Sequence, residues 1–418
     1  MEKYNSYKNS GIEWLGDIPE HWKIERVKNI FKNLDSKRIP LSGSERQKMS
    51  LNRYDYYGAS GVIDKVDKYI FNDTLILIGE DGANLVTRSK PLAFIAQGKF
   101  WVNNHAHILK PKFDNNINYF VLALESLDYS IWISGSAQPK LTQDKLNNIS
   151  IYYPPLKEQT QIANYLDAKT TAINKKVSLL QQKIKHYKAY RKTLINETVT
   201  KGLKNNNSNW VNYRLKDIGY LYSGLSGKSG NDFNQDHNPN NKGFIPFTNI
   251  ANNTYLDQNH LGNVVIEEKE KQNQVKQNDI FFLMSSEGYE DIGKSAVLKE
   301  EIKETYLNSF CKGFRITKNN CEASFINYLL LSDSYRQKML VEGKGFTRIN
   351  LKMEKVNNFS ILIPPTKKEQ QQIADYLDAK TATIDKIVKN IETQITTLKE
   401  LRKTLINEVV TGKVKVSD

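Results

Sequence analysis

Two short segments carry side chains suited to reading nucleic-acid bases. GSAQPKL (135–141) and GFTRINL (345–351) occupy equivalent places in a 418-residue chain that repeats itself. Gln138 aligns with Arg348 and Lys140 with Asn350, while Lys344 and Thr347 extend the second loop. Gln, Asn and Arg form paired hydrogen bonds to adenine or guanine edges, so the loops are candidate DNA contacts, with a merely solvated loop as the alternative. A third segment, FWVNNHAHIL (100–109), offers Asn103, Asn104 and His105. If His105 and His107 alternate on a strand they share a face, a spacing open to a metal, but no third ligand stands nearby in sequence. A satisfied structural pair and a DNA contact are the remaining readings. Arg53 and Tyr57, with Tyr54 and Tyr56, could pack on backbone sugars or fill a core, and Arg88 joins the candidate contacts.

Other chemistries are excluded by what the motifs lack. YYPP (152–155) has the outline of the [DN]PP[YF] site of adenine methyltransferases, in which Asn or Asp accepts the amine hydrogens of a flipped base. Tyr153 holds that position here, and Ile363 in the second copy, and neither can do this. The proline pairs are structural punctuation. YSGLSGKS (222–229) nearly matches a phosphate loop, but Tyr222 replaces its first glycine and the following GNDFNQDHNPNN cannot start a helix. We read it instead as a flexible, basic, DNA-facing loop containing Lys228. Cys311 and Cys321, the only two cysteines, are expected to be small core residues and suit a reducing compartment.

Lys and Arg number 60 against 46 Asp and Glu, a net charge of +14. That excess points to nucleic acid ahead of an anionic membrane surface. No apolar run approaches the roughly 20 residues that span a bilayer, and the N-terminus has no apolar signal region, so a cytoplasmic location is expected.

The elements that must hold these side chains are written twice. EQTQIANYLDAKTTAINK (158–175) and EQQQIADYLDAKTATIDK (369–386) agree at 13 of 18 positions with a constant offset of 211, and RKTLINE recurs at 191–197 and 402–408. Apolar residues at helical spacing run through each copy: Ile162, Leu166, Leu180 and Ile184 in the first, Ile373, Leu377, Ile391 and Leu398 in the second. Each copy predicts a helix of about 40 residues, roughly 60 Å long. Helices with so narrow a seam need a partner, and packing on each other as an antiparallel coiled coil is the economical solution. Ahead of each lies a strand-rich α+β domain, and WKIERVKNI (22–30) is echoed by WVNYRLKDI (210–218). Trp14, Leu15, Ile18 and Trp22 suggest a small N-terminal lid. The division is therefore 1–153, 154–204, 205–363 and 364–418: domain, helix, domain, helix, with an expected pseudo-two-fold relation between the halves. From 157 to 204 there are 11 basic and 3 acidic residues, and from 367 to 418 there are 10 and 8. Lys175, Lys176, Lys183, Lys185 and Lys188 can track phosphates, or simply form a solvated face.

The doubled PPLKEQTQIANYLD and PPTKKEQQQIADYLD segments and the WLGDIPEHW opening resemble the specificity subunit of type I restriction–modification systems. YYGASGVI (56–63), LIGEDGANL and FWVNNHAHIL resemble a target-recognition domain of that family. The resemblance implies that each domain reads half of a bipartite DNA site and that the helices set the unread gap. It implies docking of two modification subunits, which bind S-adenosylmethionine and methylate adenine, and through them of a restriction/translocation subunit that uses ATP and Mg. The chain itself would hold no cofactor, no metal and no catalytic residue. The second domain lacks the FWVNNHAHIL pattern, so its contacts are harder to place. A coiled-coil adaptor or regulatory protein without a DNA target is the alternative.

Overall fold

The computed structural model describes residues 2–49, 53–135, 138–235, 237–345 and 347–416. They are divided between two compact units, Met1–Gln181 with Glu392–Asp418, and Gln182–Ile391. The divisions expected from sequence are contiguous, whereas each compact unit combines a strand-rich domain with parts of both long helices. Those helices span Leu156–Lys201 and Lys367–Val410, 46 and 44 residues.

In the first unit a six-stranded sheet runs in the order 31–33, 106–111, 71–79, 93–102, 54–58, 61–66. Two long strands run through its centre: Phe71–Gly79 pairs along its length with Ala93–Val102. Asn72 and Asp73 and the glycine-bearing Gln97–Lys99 turn no corner, because Asp73 lies opposite Gly98 within the ladder. The helix Ile117–Ser126 covers the sheet, with Tyr119, Phe120, Ala123 and Leu124 turned inward. Leu15, Ile18 and Trp22 belong to that same core, so they are no lid, and only Trp14 stays largely outside, edge-on to Trp132.

The second unit repeats the plan with shorter strands. A four-stranded sheet (219–223, 311–316, 280–283, 295–297) accompanies a three-stranded one (262–265, 241–245, 305–307). The buried helix Ala323–Leu331 takes the place of Ile117–Ser126. In each unit an early strand and the last strand of the domain zip together antiparallel, Lys23–Arg26 with Ser150–Tyr153 and Val211–Arg214 with Ser360–Ile363. The helix therefore leaves each domain beside the point where the domain begins.

One buried glutamine ties helix to domain in the same way in both copies. Gln159 is 1 % exposed, and its Nε2 donates to the Pro154 carbonyl (2.9 Å) while its Oε1 accepts from the Asn116 N–H (2.9 Å). Gln370 is fully buried, donates to the Pro364 carbonyl (2.8 Å) and accepts from the Glu322 N–H (2.8 Å). Asn116 and Glu322 are the N-caps of the two domain helices. The glutamine of the PPxxEQ pattern thus ties three elements at a point where water cannot substitute. In the first unit Glu158 adds a further tie by accepting from Tyr4 Oη and Trp22 Nε1, each at 2.9 Å.

Within each unit the helices run in opposite directions. Ile162, Ala163 and Leu166 from the start of the first helix share a core with Leu405, Ile406, Val409 and Val410 from the end of the second. Ile195 and Val199 from the end of the first share the other core with Ile373, Ala374 and Leu377 from the start of the second. There Arg191 pairs with Asp385 at 3.1 Å. Ile391 is buried as expected, but Leu180, Ile184 and Leu398 are only half-buried. On the first helix tight burial is concentrated at the two ends, where a domain encloses it, whereas the second keeps Ile384, Val388, Ile391 and Ile395 buried through its middle.

The clamp predicts its own test. Gln159→Leu leaves the Pro154 carbonyl and the Asn116 N–H buried without partners, at about 1–3 kcal/mol each. Urea denaturation should show a loss of about 2–4 kcal/mol, with a matching loss for Gln370→Leu. A loss within measurement error in both variants would contradict the clamp.

Candidate nucleic-acid interface

Three loops meet at one end of the first unit. The loop after strand Phe71–Gly79 carries Glu80 and Asp81, the turn before strand Ala106–Pro111 carries Asn103–His105, and the third is residues 134–141. Backbone bonds lock them together: Glu80 N–H to His105 O (2.9 Å), Leu141 N–H to Glu80 O (2.8 Å) and Gly82 N–H to Pro139 O (3.1 Å). The third loop closes on itself through Ser134 and Lys140, whose N–H and C=O groups exchange bonds of 2.9 and 3.0 Å.

The second unit builds the same frame from different letters. Met284 N–H donates to Phe310 O (3.2 Å), Leu351 N–H to Met284 O (2.8 Å), and Lys344 and Asn350 exchange bonds of 2.8 and 2.9 Å. The turn 103–105 finds its counterpart in Asn308, Ser309 and Phe310. Asn103 Oδ1 accepts from the His105 N–H at 2.8 Å, and Asn308 Oδ1 accepts from the Phe310 N–H at 2.9 Å. The second domain lacks the FWVNNHAHIL letters, as expected, but YLNSFCKGF (306–314) builds the equivalent turn in that place. Its offset is 205 rather than 211, and the shared asparagine was the one signal that could have found it. Gly135 (φ +89°) and Gly345 (φ +146°) start the two matched loops, and a Cβ there would lie 2.6 Å from Gln138 O and 1.9 Å from Arg348 O. Only glycine allows that close approach.

The frame sorts the sequence candidates. Gln138, Asn104 and His105 are exposed around the first cluster, as are Lys344, Thr347, Arg348 and Asn350 around the second. Lys140 is also exposed, while its ammonium lies 3.2 Å from Glu80. Arg53 is exposed just ahead of the strand Tyr54–Gly58. Four candidates have other work. Lys228 is not on an open flexible loop, because its side chain is 7 % exposed and paired with Glu270 at 2.5 Å. Arg88 bonds the Glu125 carbonyl, pairs with that carboxylate at 3.1 Å and lies over the Tyr129 ring, fastening its loop to the domain helix. Asn103 is buried and spends its carbonyl oxygen on the turn. Tyr57 packs against Phe94 and Phe100. Lys175, Lys176, Lys183, Lys185 and Lys188 are exposed along the first long helix.

His105 and His107 do not share a strand face. His105 lies in the turn and meets Asp81 at 2.8 Å. His107 is fully buried, with Nε2 donating to the Leu141 carbonyl (2.8 Å) and Nδ1 2.6 Å from Asp35. Asp35, Glu80 and His107 bring possible ligand atoms within 4.8 Å of one another. Arg38 lies between the two carboxylates and Lys140 reaches Glu80, so the negative charge is already matched by side chains. This ionic cluster, invisible in the sequence because its members come from four separate segments, seats the 134–141 loop through Lys140 and Leu141. Burial raises the Asp35 and Glu80 carboxyls, but hydrogen bonds and charge from His107 for Asp35, and from Arg38 and then His107 for Glu80, hold both below their usual range. In the second unit Lys312 and Ser223 lie where the first has His107 and Asp35, bonded at 3.1 Å. Cys311 and Cys321 are buried, and burial pushes the Cys311 thiol up to about 12.

Because both carboxyls are depressed in the folded state, their contribution is present above the ordinary carboxylate range and is lost as pH falls through the folded values. The first unit should therefore weaken in acid below about pH 4. Glu80→Gln should flatten the decline in a pH series of urea midpoints, while lowering stability at neutral pH by leaving Arg38 underpaired.

Comparison with known proteins agrees with the duplicated plan. The family model for the type I restriction modification DNA specificity domain matches residues 19–185 and again 207–397. A putative type I restriction enzyme specificity subunit of Haemophilus influenzae is 28% identical, over 85% of this chain and 86% of its own. A type I restriction enzyme specificity subunit of Methanocaldococcus jannaschii is 22% identical over 96% and 95%. Among solved structures, a chain from a study of assembly and conformational transition in the type I R-M system superposes with a TM-score of 0.69 at 14% identity, covering 95% and 99%. The HsdS subunit from Thermoanaerobacter tengcongensis gives 0.56 at 14%, covering 95% and 98%. These two likenesses concern the fold. Among the described residues no helix is long and apolar enough to cross a membrane. With both domain copies matched by the family model, the chain belongs to the type I restriction modification DNA specificity family.

Proposed function

We propose that this chain is the DNA-recognition subunit of a type I restriction–modification complex, reading one half of a bipartite site with each strand-rich domain. The observation that carries the reading is the loop frame built twice from the same backbone bonds, bearing exposed Gln138 and Lys140 in one copy and Arg348 and Asn350 in the other. A constant frame with changing side chains suits two heads that grip DNA alike and read different bases. The long helices fix the unread gap and dock two modification subunits, which bind S-adenosylmethionine and methylate adenine. A restriction subunit using ATP and Mg joins through them. This chain contributes sequence selection and no catalytic group. Lys175, Lys176, Lys183 and Lys185 meet phosphates over the gap.

Expression of the chain with its modification subunit, followed by mapping of methylated adenines, should reveal one bipartite motif. Exchange of residues 1–153 for those of another family member should alter one half of it and leave the other unchanged; alteration of both halves would end the two-head reading. An adaptor without a DNA target predicts little salt dependence in filter binding. DNA recognition predicts a steep slope, falling by about 0.9 for each of the four lysines replaced by Gln that meets a phosphate.

A further inference from the structure

The second reading loop carries an arrangement that narrows what it reads. Arg348 Cζ lies 4.7 Å from the centre of the Phe310 ring, and Phe310 is 47 % exposed at the tip of its asparagine turn. The guanidinium is therefore held against an aromatic face, which fixes it while leaving its donors directed away from the ring. The backbone beneath it is equally fixed: Arg348 O is crowded by Gly345 and accepts from Asn350 Nδ2 at 3.2 Å. Glu287 Oε1 lies 3.8 Å from Arg348 Nη2, with the two side chains 85 % and 46 % exposed. So open and so long an ion pair contributes little and is readily exchanged for another partner.

Resting on the proposed function, we propose that Arg348 reads a guanine in the half-site of the second domain, with Phe310 as its platform and Glu287 accepting from a cytosine amine beside it. A planar fork held on edge matches the O6 and N7 acceptors of guanine, and a carboxylate is the natural acceptor for cytosine N4. The carboxylate also argues against a phosphate as the partner of this arginine, because an exposed anion next to the fork repels the DNA backbone. The equivalent position in the first domain is Gln138, a side chain whose paired bonds fit adenine. His105 stands where Phe310 stands and engages Asp81. The two heads therefore differ in the base they favour at one matched position.

The test uses the full chain expressed with its modification subunit, with methylated motifs mapped for wild type and variants. The half-site of the second domain is the half that survives exchange of residues 1–153, and it should contain a G·C pair. Arg348→Lys keeps the charge but loses the fork, and should relax the motif at that pair while methylation of the original motif falls roughly 10- to 100-fold. Arg348→Gln should shift preference there from guanine towards adenine, and Phe310→Leu should weaken discrimination at the same pair. Thermal melting of the purified complexes should be unchanged, since Arg348 is exposed. A half-site without a G·C pair, or an Arg348→Lys variant with the wild-type motif at the wild-type rate, would overturn the assignment. Absence of any bipartite motif from the wild-type chain would instead overturn the proposed function itself.

Discussion

A single buried carboxamide, placed twice, is the contact on which each half of the molecule depends. Gln159 and Gln370 join a proline turn, the cap of a domain helix and the first turn of a long helix. The junction fixes the start of the long helix against its domain, since the proline pair supplies no hydrogen-bond donor of its own. With it, the helix start is buried beside Ile162 and Leu166 or Ile373 and Leu377, and the returning end of the other helix completes the core. Neither domain core is made from contiguous chain. This is why the compact units cut across both helices.

The loop frame follows from the same economy. Backbone bonds, two glycines and two asparagine turns fix where the tips lie, so the side chains on those tips can vary without disturbing the fold. Beneath the tips the two units have diverged further. The first supports its loop with an ionic cluster of Asp35, Arg38, Glu80, His107 and Lys140, whereas the second has Ser223, Met284 and Lys312 at the matching places. The backbone bonds that join the three loops are common to both units, whereas the side chains that buttress them are not, and Lys140 belongs to both the loop tip and its support in the first unit.

The long helices, their repeated ends, the α+β character of the domains and the pairing of the loops at 135–141 and 345–351 are legible in the sequence, because periodicity, repetition and proline pairs are local signals. The match of Gln138 with Arg348 and of Lys140 with Asn350 follows from the same repeat. The proximity of Phe310 and Glu287 to Arg348 does not, since nothing at 287 or 310 alone announces it. The ion pairs of Arg88 and Lys228 are not legible either, because a basic residue beside glycines looks free until its carboxylate partner is found far along the chain.

Sequence by itself determined that there are two copies of one plan, since an offset of 211 held over long segments needs no coordinates to be seen. Only the tertiary structure decided which charges are spent and which remain available. Glu270 claims Lys228, Glu125 claims Arg88, and Asn103 is consumed by its own turn. The physical reason is that ion pairing and burial are set by distances between residues tens of positions apart, and one-dimensional spacing carries no record of them.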